Sequence, residues 1–334
     1  MTVSQRARLQ AHAELLRQGQ LVVFPTETVY GLGASAWHPA AIRRIFETKG
    51  RPADNPLIVH VSSTDMVGTF AAQIPVRARL LMQKFWPGPL TIIFKKRPEV
   101  LDSITAGMQT VALRMPDHEL ALALITEAGP LVAPSANKSG RPSPTRIEHV
   151  KADFRQELPI IDGGACGLGL ESTVIDMTAQ PPCILRPGYI SAADIEERCG
   201  FRPVMAPAPG NSVSPANEAP KSPGMKYSHY APEARVNWLP ELPAQRSSYA
   251  AAELPENSLL LLHKAEAVPK QGSRQVHFEQ DYARMARELY DWFRKADIDG
   301  FAHIGIEPLP EAEHPKTNAL WHALYNRISK AIGG

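Results

Sequence analysis

Side chains that suit the binding of anions are concentrated in five stretches of this 334-residue sequence. Each stretch adjoins a run of β-forming residues and combines cations, hydroxyls or amides with glycine or proline. In open α/β sheets ligands bind at the ends of strands, so we expect the five stretches to share one site. They are PTETVYGLG (25–33), KGRPADNPLIVH (49–60), TVALRMP (110–116), APSANKSGRPSPT (133–145) and DGGACGLGLESTVID with ILRPG (162–176 and 184–188).

Three cations in these stretches suit phosphate or carboxylate groups. Lys49 and Arg51 lie on a short turn stiffened by a following proline, a placement that suits polyphosphate. Cations also stabilise a helix C-terminus, so a purely structural role stays open for both. Arg114 lies inside a β-like run, where a buried guanidinium needs an anion. That anion is either an internal Asp or Glu or a carboxylate or phosphate of a substrate.

The other polar residues allow a structural and a functional interpretation. The stretch 25–33 is either an ordinary connection or a place where two glycines let a ligand approach the backbone. His60 is either a satisfied core residue or a ligand contact. The stretch 133–145 is either a surface loop or an anion cradle rich in donors. In the fifth stretch we expect the glycine run to admit a ligand closely, and the structural alternative for Glu171 is a solvated side chain.

Common nucleotide-binding and hydrolase motifs are absent from the sequence. It has no GxxxxGK[ST], no GxGxxG after a strand, no HExxH and no GxSxG. No nucleophile is paired with a base, and no residues have metal-ligand spacing. Many cations and small donors without a nucleophile favour a site that positions anionic reactants, as phosphoryl and nucleotidyl transfer require.

Alternating helix and strand patterns predict that an α/β sheet positions these residues. The predicted strands are 21–24, 56–61, 90–94, 111–115, 159–162, 172–177 and 183–187. The predicted helices are 3–18, 40–49, 76–85, 118–128 and 192–199. Ser191 and Asp194 form a capping pattern for the last helix, and Gly200 follows its end. We expect some neighbouring strands to pair antiparallel.

Composition divides the chain into a first domain (1–202), a linker (203–232) and a second domain (233–334). The linker is rich in Pro, Ala, Ser and Asn and has no apolar periodicity. It nevertheless contains SPGMKYSHYAP (222–232), a more specific set of side chains than a connector needs. The later strands and helices predict a small doubly wound β/α domain.

Composition also excludes several classes of protein. The formal net charge of +2 is too small to indicate a nucleic-acid or membrane-surface protein. We expect no secretory signal and no membrane span, because the apolar runs are far shorter than ~20 residues. Three cysteines without CxxC spacing predict reduced thiols in a cytoplasmic protein, not disulfides or zinc ligands.

The polar stretches, together with FWPGPLTIIF (85–94) and SPGMKYSHYAP, resemble the threonylcarbamoyl-AMP synthase family. The resemblance covers essentially the whole chain and is specific in these motifs, whereas beyond about residue 233 only the domain pattern agrees. The family often has Asp where this chain has Glu27, which keeps the charge. The resemblance implies an α/β protein with a YrdC-like twisted mixed sheet and helices, followed by a smaller Rossmann-like domain.

The resemblance also implies a reaction. L-threonine, bicarbonate or CO2, and ATP give threonylcarbamoyl-AMP and pyrophosphate. The nucleophile is a carbamate oxygen of the substrate, which agrees with the lack of a protein nucleophile. Mg²⁺ would neutralise the triphosphate and be held mainly by phosphate oxygens. Other proteins then pass the threonylcarbamoyl group to tRNA, so contact with tRNA is expected to be indirect.

By resemblance, the motif residues fall into two groups. Threonine would be held by Thr28, His60, Arg114 and Ser172, with Arg114 on its carboxylate. ATP and the reacting carbonate would be held by Lys49, Arg51, Asn55, Ser135, Asn137, Ser143 and Arg186, with weaker contributions from Thr110 and the backbone near Ala133. Lys49 and Arg51 would have the catalytic roles. The linker would cover the site as a lid, with Tyr227 contacting the nucleotide.

Two other functions stay open at this point. An RNA-binding factor without catalysis would use the same cations on phosphates of RNA, and its affinity would fall steeply with salt. The sequence lacks the aromatic platforms and arginine-rich tails typical of such factors. Carbamoyl transfer from carbamoyl phosphate would use a similar site without threonine.

Overall fold

A computed structural model gives the fold and describes residues 3–155, 157–207, 230–242, 246–309 and 315–333. In the first part of the chain the described strands are β1 (Val22–Phe24), β2 (Gly31–Ser35), β3 (Ile58–His60), β4 (Leu90–Lys95), β5 (Thr110–Arg114), β6 (Leu131–Val132), β7 (Thr173–Asp176), β8 (Cys183–Arg186) and β9 (Val204–Met205). The helices are α1 (Val3–Arg17), α2 (Pro39–Lys49), α3 (Val76–Phe85), α4 (Asp102–Thr105), α5 (Glu119–Ala128), α6 (Ile147–Phe154) and α7 (Ala192–Cys199), with a 3₁₀ turn at Thr64–Thr69.

These strands form one sheet in the order β1-β2-β6-β3-β5-β4-β7-β8-β9. The pairs β3–β5, β4–β7 and β8–β9 are parallel, and the other neighbours are antiparallel. The predicted mixed sheet is therefore confirmed. The pair β3–β5 positions two of the candidate site residues, because its register places His60 opposite Arg114 at the ends of both strands.

Local signals explain most of these elements. Helix α7 has the predicted capping box between Ser191 and Asp194, and Gly200 ends it with a left-handed φ of 72°. Strand β2 is absent from the sequence prediction because GLGAS resembles a loop. Its Gly33 has a packing role, since a Cβ there would lie 2.8 Å from the Phe24 ring.

Two predictions about the first domain differ from the structure. Segment 159–162 is not a strand: Ile160 forms only an isolated bridge to Val23 before a pair of glycines. Strand β9 lies inside the segment 203–232, for which the sequence predicts a linker, and pairs with β8 at the sheet edge. Its two exposed residues give no burial pattern by which a strand could be recognised.

The second part of the chain contains β10 (Arg235–Trp238), β11 (Ser248–Tyr249), β12 (Ser258–Leu262), β13 (Glu266–Ala267), β14 (Arg274–His277), α8 (Tyr282–Asp299), β15 (His303–Ile306) and α9 (Pro315–Ile332), with a 3₁₀ turn at Ala251–Glu253. Strands β10-β15-β12-β14 form a parallel sheet, and β11 pairs with β13. All five residues of β12 are buried, as in a parallel sheet covered on both faces. Within the described residues, no helix is long and apolar enough to span a membrane.

The two parts pack closely against each other around α8. Gly169 has a φ of 79°, and a Cβ there would lie 2.4 Å from the Arg287 backbone. This glycine therefore admits helix α8, whereas the sequence predicts that the glycine run admits a ligand. On the same helix, Arg294 holds Asp153 of α6 with two hydrogen bonds of 2.8 and 3.1 Å, and both side chains are buried.

We expect Arg294→Met to lower the free energy of unfolding by about 3 kcal/mol, because the buried Asp153 then keeps only the partly exposed Arg141 and the Lys138 amide as donors. Burial raises the pKa of Asp153, but the Arg294 hydrogen bond and charge lower it below the ordinary value. The pair therefore stabilises the fold above the unfolded-state pKa of about 3.9, and this stability is lost as the pH falls through the folded pKa. In the variant the contribution of Arg294 is lost and only the hydrogen bonds of Arg141 and Lys138 still lower the pKa of Asp153, so acid unfolding begins at a higher pH.

Urea unfolding between pH 3 and pH 7 measures both effects. Arg202→Met is the control, because it removes an exposed ion pair with Glu196 and should cost less than about 1 kcal/mol. An Arg294→Met protein with the stability and acid unfolding of the control would contradict a stabilising role for the buried pair.

Candidate active site

A cleft of about 710 Å³, including its open mouth, lies over the first sheet. It extends along β3, where alternate residues share one face, and Pro56, Ile58 and His60 line it. The expected site at strand ends is therefore only part of the arrangement, since the cleft also covers a face of the sheet. Its lining is Thr26, Thr28, Val29, Gly31, Arg51, Pro56, Leu57, Ile58, His60, Arg114, Ala133, Pro134, Ser135, Asn137, Arg141, Ser143, Glu171, Ser172, Arg186 and Tyr230.

Most of the predicted site residues meet in this cleft. The predicted threonine contacts Thr28, His60, Arg114 and Ser172 all line it, as do the predicted nucleotide contacts Arg51, Ala133, Ser135, Asn137, Ser143 and Arg186. Lys49, Asn55 and Thr110 lie outside the lining. Tyr227 lies outside the described residues, so its predicted role stays a prediction.

Arg114 has an internal partner and also faces the cleft. Its Nη2 lies 2.6 Å from Glu27 Oε2, and its Nε donates to the Gly88 carbonyl at 3.3 Å. The side chain is 5% exposed, so its position is fixed by these contacts. Of the two anions that the sequence leaves open for Arg114, Glu27 is present. Glu27 therefore holds the guanidinium in place and leaves one side of it on the cleft wall.

His60 is a neutral imidazole in a fixed orientation. Its ring is buried, its Nδ1 lies 3.2 Å from the Ile58 carbonyl, and Phe24 packs edge-on at 6.1 Å. Burial, together with the nearby charge of Arg114, lowers the pKa of His60 to about 3. Since a carbonyl only accepts, Nδ1 carries the proton and Nε2 keeps a lone pair. His60 can therefore accept a hydrogen bond from a ligand.

Ser172 and Arg186 form a second polar wall. Arg186 donates from Nε to the Ser172 carbonyl and from Nη2 to Ser172 Oγ, both at 3.0 Å. Thr91 Oγ1 lies 2.8 Å from the same Ser172 hydroxyl. Strand β8 ends at Arg186, and β7 begins after Ser172, so their antiparallel pairing brings both residues to the cleft. Burial lowers the pKa of Arg186, although the group stays a cation at neutral pH.

The buried side chain of Lys49 holds the stretch 133–145 in place. Its ammonium donates to the carbonyls of Ser135 and Asn137, each at 2.5 Å. Ser135 Oγ donates to the Asn137 side chain at 2.6 Å. The stretch is therefore a rigid cleft wall and not a loose surface loop. Burial and the neighbouring charge of Arg51 lower the pKa of Lys49 well below its ordinary value.

Two predicted nucleotide contacts lie just beyond the lining. Asn55 is 1% exposed, and among the described residues neither atom of its amide group has a hydrogen-bond partner. Such a group is costly unless a ligand or water satisfies it. Thr110 lies on the same face of β5 as Arg114, about 13 Å away by the strand rise. Asn55 directly precedes Pro56, which lines the cleft.

Glu171 is a site residue that the sequence does not single out, and its structural alternative, a solvated side chain, is excluded because the residue is buried. Ser143 Oγ donates to it at 2.6 Å, Tyr290 donates at 3.1 Å, and Arg327 Nε donates at 2.8 Å. Burial raises its pKa, but the charges of Arg327 and Arg186 and the Ser143 hydrogen bond outweigh burial and lower the pKa to about 2. Glu171 is therefore an ionised carboxylate that connects both parts of the chain.

Tyr230 is a second site residue that the sequence does not single out. It lies in SPGMKYSHYAP where the described chain resumes, has a φ of 74° and is 6% exposed. Its ring stacks on Tyr290 with centroids 5.4 Å apart and lines the cleft. The motif thus contains a tyrosine at the site. No signal in the sequence distinguishes Tyr230 from Tyr227, since they occur in the same short string.

Comparisons with known proteins cover the whole length of the chain. A family model described as telomere recombination matches residues 14–188, and one described as the C-terminal domain of threonylcarbamoyl-AMP synthase matches residues 190–333. The threonylcarbamoyl-AMP synthase of Pyrococcus abyssi is 51% identical over 98% of this chain and 94% of that protein. The protein of the same name from Bacillus subtilis is 41% identical over 96% and 92%.

The solved structures agree with this relationship. A crystal structure of P. abyssi Sua5 complexed with L-threonine superposes with a TM-score of 0.83. The superposition covers 98% of this chain and 95% of that one, with 38% identity between the superposed residues. With both family models matched and relatives of this identity aligned over nearly their full length, the chain belongs to the threonylcarbamoyl-AMP synthase family.

Proposed function

We propose that the protein makes threonylcarbamoyl-AMP and pyrophosphate from L-threonine, bicarbonate or CO2, and ATP, for the threonylcarbamoyladenosine modification of tRNA. One observation carries the proposal: a fixed guanidinium and a neutral imidazole meet in the same cleft as a wall of cations and hydroxyls. The first pair suits an amino acid, and the wall suits a nucleotide. In reaction class the enzyme is a nucleotidyltransferase.

The threonine end of the cleft accounts for the binding of an amino acid. Arg114, already oriented by Glu27, offers its remaining donors to the threonine carboxylate. His60 Nε2 accepts a hydrogen bond from the amine or hydroxyl of threonine. A neutral imidazole is required for this, because an imidazolium would repel an ammonium and offer it no lone pair. Thr28 and Ser172 complete this end of the site.

The nucleotide end of the cleft accounts for the transfer of AMP to the carbamate. Once the threonine amine has captured CO2, a carbamate oxygen attacks the α-phosphorus of ATP and pyrophosphate leaves. Arg51 and Arg186 stabilise the charge that develops on the phosphates. Asn55, Ser135, Asn137 and Ser143 orient the nucleotide. The protein contributes positioning and charge, and the substrate supplies the nucleophile.

Mg²⁺ would enter with ATP, held mainly through phosphate oxygens, and would neutralise the triphosphate. The carboxylates of the site fit this arrangement, because Glu27 is engaged by Arg114 and Glu171 by Arg327. Neither is placed as a dedicated metal ligand. Among the described residues, no three His, Cys, Asp or Glu side chains are grouped as a metal centre.

The product is a mixed anhydride that water destroys, so a cover over the cleft would have a chemical use. Tyr230 and the preceding linker residues would exclude water from it, with Tyr227 as a further contact. The protein would act in the cytoplasm and pass its product to threonylcarbamoyl-transfer proteins, with no direct need for tRNA. An RNA-binding factor without catalysis remains the alternative function.

We expect pyrophosphate release from ATP to require both L-threonine and bicarbonate. The reason is that the cleft supplies no nucleophile, so the α-phosphorus is attacked only when threonine has become a carbamate. A coupled phosphate assay with inorganic pyrophosphatase, omitting one substrate at a time, measures the dependence. Equal release without threonine would exclude the synthase. Carbamoyl phosphate in place of bicarbonate tests carbamoyl transfer, and salt-sensitive binding of RNA without release would favour the alternative function.

Arg114→Ala should weaken threonine binding by about tenfold or more, because a charge-assisted hydrogen bond contributes ~1.5–3 kcal/mol. The affinity for ATP should change far less. Arg51→Ala and Lys49→Ala are the matched variants with the opposite preference, since Arg51 lines the nucleotide end and Lys49 supports its wall. Calorimetric titration with each substrate measures the split. Equal losses for both substrates, or an Arg114→Ala protein that has unfolded, would indicate a structural role.

His60 should make stability depend on pH in a defined direction. Because its folded pKa of about 3 lies below the unfolded value of about 6.5, folding loses stability as the pH falls below about 6.5. Wild-type protein should therefore lose about 2 kcal/mol more than His60→Gln between pH 7 and pH 5. Urea unfolding at the two pH values measures the difference. Parallel losses would mean that His60 is not a buried neutral imidazole.

A further inference from the structure

We propose that the second part of the chain completes the active site through Arg327, a positioning residue that fixes Glu171 and, through it, Ser143 in the nucleotide end of the cleft. The inference rests on the proposed function for the identity of the ligand. It gives a catalytic purpose to the C-terminal helix α9, none of whose described residues lines the cleft.

Arg327 is placed for this role by three contacts with the cleft wall. Its side chain is fully buried, although it is one of the largest in the protein. Nε donates to Glu171 Oε2 at 2.8 Å, and Nη1 donates to the Pro187 carbonyl at 3.1 Å. Its guanidinium also lies 5.5 Å from the ring centroid of Tyr230. Arg327 thus contacts two residues of the cleft lining, Glu171 and Tyr230, and also Pro187, the neighbour of Arg186.

Glu171 transmits this contact to the cleft. It accepts the Ser143 hydroxyl at 2.6 Å, a short bond that fixes the Ser143 side chain. Tyr290, on helix α8, donates to both of its oxygens at 3.1 and 3.3 Å. The carboxylate is therefore held by two residues of the second domain and holds one residue of the proposed nucleotide site.

The charge of Arg327 is what makes this arrangement stable. Burial raises the pKa of Glu171, and Arg327 is the first of the charges that outweigh burial. Without Arg327, the buried carboxylate must take up a proton or draw water into the interface. A protonated Glu171 no longer attracts Arg186 as a carboxylate does, and a hydrated Glu171 divides its acceptor oxygens between water and the Ser143 hydroxyl. The nucleotide end should then lose its geometry, while Arg114 and Glu27 keep theirs.

The test is the binding of ATP to purified full-length protein by calorimetry, which does not depend on turnover. Arg327→Met should weaken ATP binding by about tenfold or more and change threonine binding less. Since Glu171 in this variant is protonated more readily, its ATP affinity should fall further as the pH is lowered from 8 to 6. In the wild-type protein Glu171 stays ionised over this pH range, so it should not cause the ATP affinity to fall. Arg327→Lys, which keeps a charge, should restore part of the affinity.

Two variants separate positioning from simple destabilisation. Glu171→Gln/Arg327→Met removes both charges and with them the unpaired buried ion, so it should fold nearly as well as wild type yet bind ATP weakly. Tyr290→Phe removes one donor and keeps the aromatic stack, so ATP affinity should fall roughly threefold. Asp291→Asn is the control, because Asp291 of α8 contacts His149 and Arg146, which do not line the cleft.

The inference is supported if the double variant and Tyr290→Phe lose ATP affinity while Asp291→Asn keeps it. It is overturned if the double variant, folded by circular dichroism, binds ATP as wild type does. It is equally overturned if Asp291→Asn loses as much affinity as Tyr290→Phe, because docking alone then explains the effect. A wild-type protein that binds ATP but releases no threonine-dependent pyrophosphate would contradict the proposed function. It would not change what the ATP affinities of the variants say about Arg327.

Discussion

The buried carboxylate of Glu171 links the wall of the cleft to the second part of this protein. Glu171 lies in the cleft wall, and its partners Arg327 and Tyr290 come from helices of the second domain. Removing a carboxylate from water is unfavourable unless several donors replace the water. Both domains must therefore be docked before the wall can adopt its final form. The close approach of Gly169 to α8 serves the same docking, two residues earlier in the chain.

Within the cleft, the placement of charge separates two kinds of ligand. Near β3 and β5, a cation whose charge Glu27 already balances lies beside a neutral imidazole, which suits a zwitterion. Near the stretch 133–145, Lys49 holds the backbone in place. Cationic side chains line the cleft beside this stretch. Among the described residues that line the cleft, no cysteine is present, and the hydroxyls of Ser143 and Ser172 are engaged by Glu171 and Arg186. The arrangement can bring two substrates together and neutralise charge between them, which is what transfer to phosphorus requires.

The sequence was informative where local chemistry determines structure. Apolar β-forming runs surround Arg114 and His60, and these runs predict the strands in which both residues lie. The caps of α7 follow from Ser191 and Gly200 alone. The sequence does not reveal Glu171 as a buried site residue, because its partners are 119 and 156 residues away and no local pattern indicates such contacts. Strand β2 was missed because its glycines have a packing purpose that only Phe24 explains. The supporting role of Lys49 is equally hidden from the sequence, because the carbonyls that it binds belong to the distant stretch 133–145.

The distance along the chain between Glu171 and Arg327 also has a consequence for biosynthesis. At ~5–20 residues per second, a ribosome adds the 156 residues between them in roughly 8–30 s. During that time the first sheet can form, but the carboxylate has no cationic partner from α9. A nascent first domain must therefore keep Glu171 hydrated or protonated, with its nucleotide wall unfinished. Competence to bind ATP would then arise late, when helix α9 has emerged and docked, so that incomplete chains do not consume ATP.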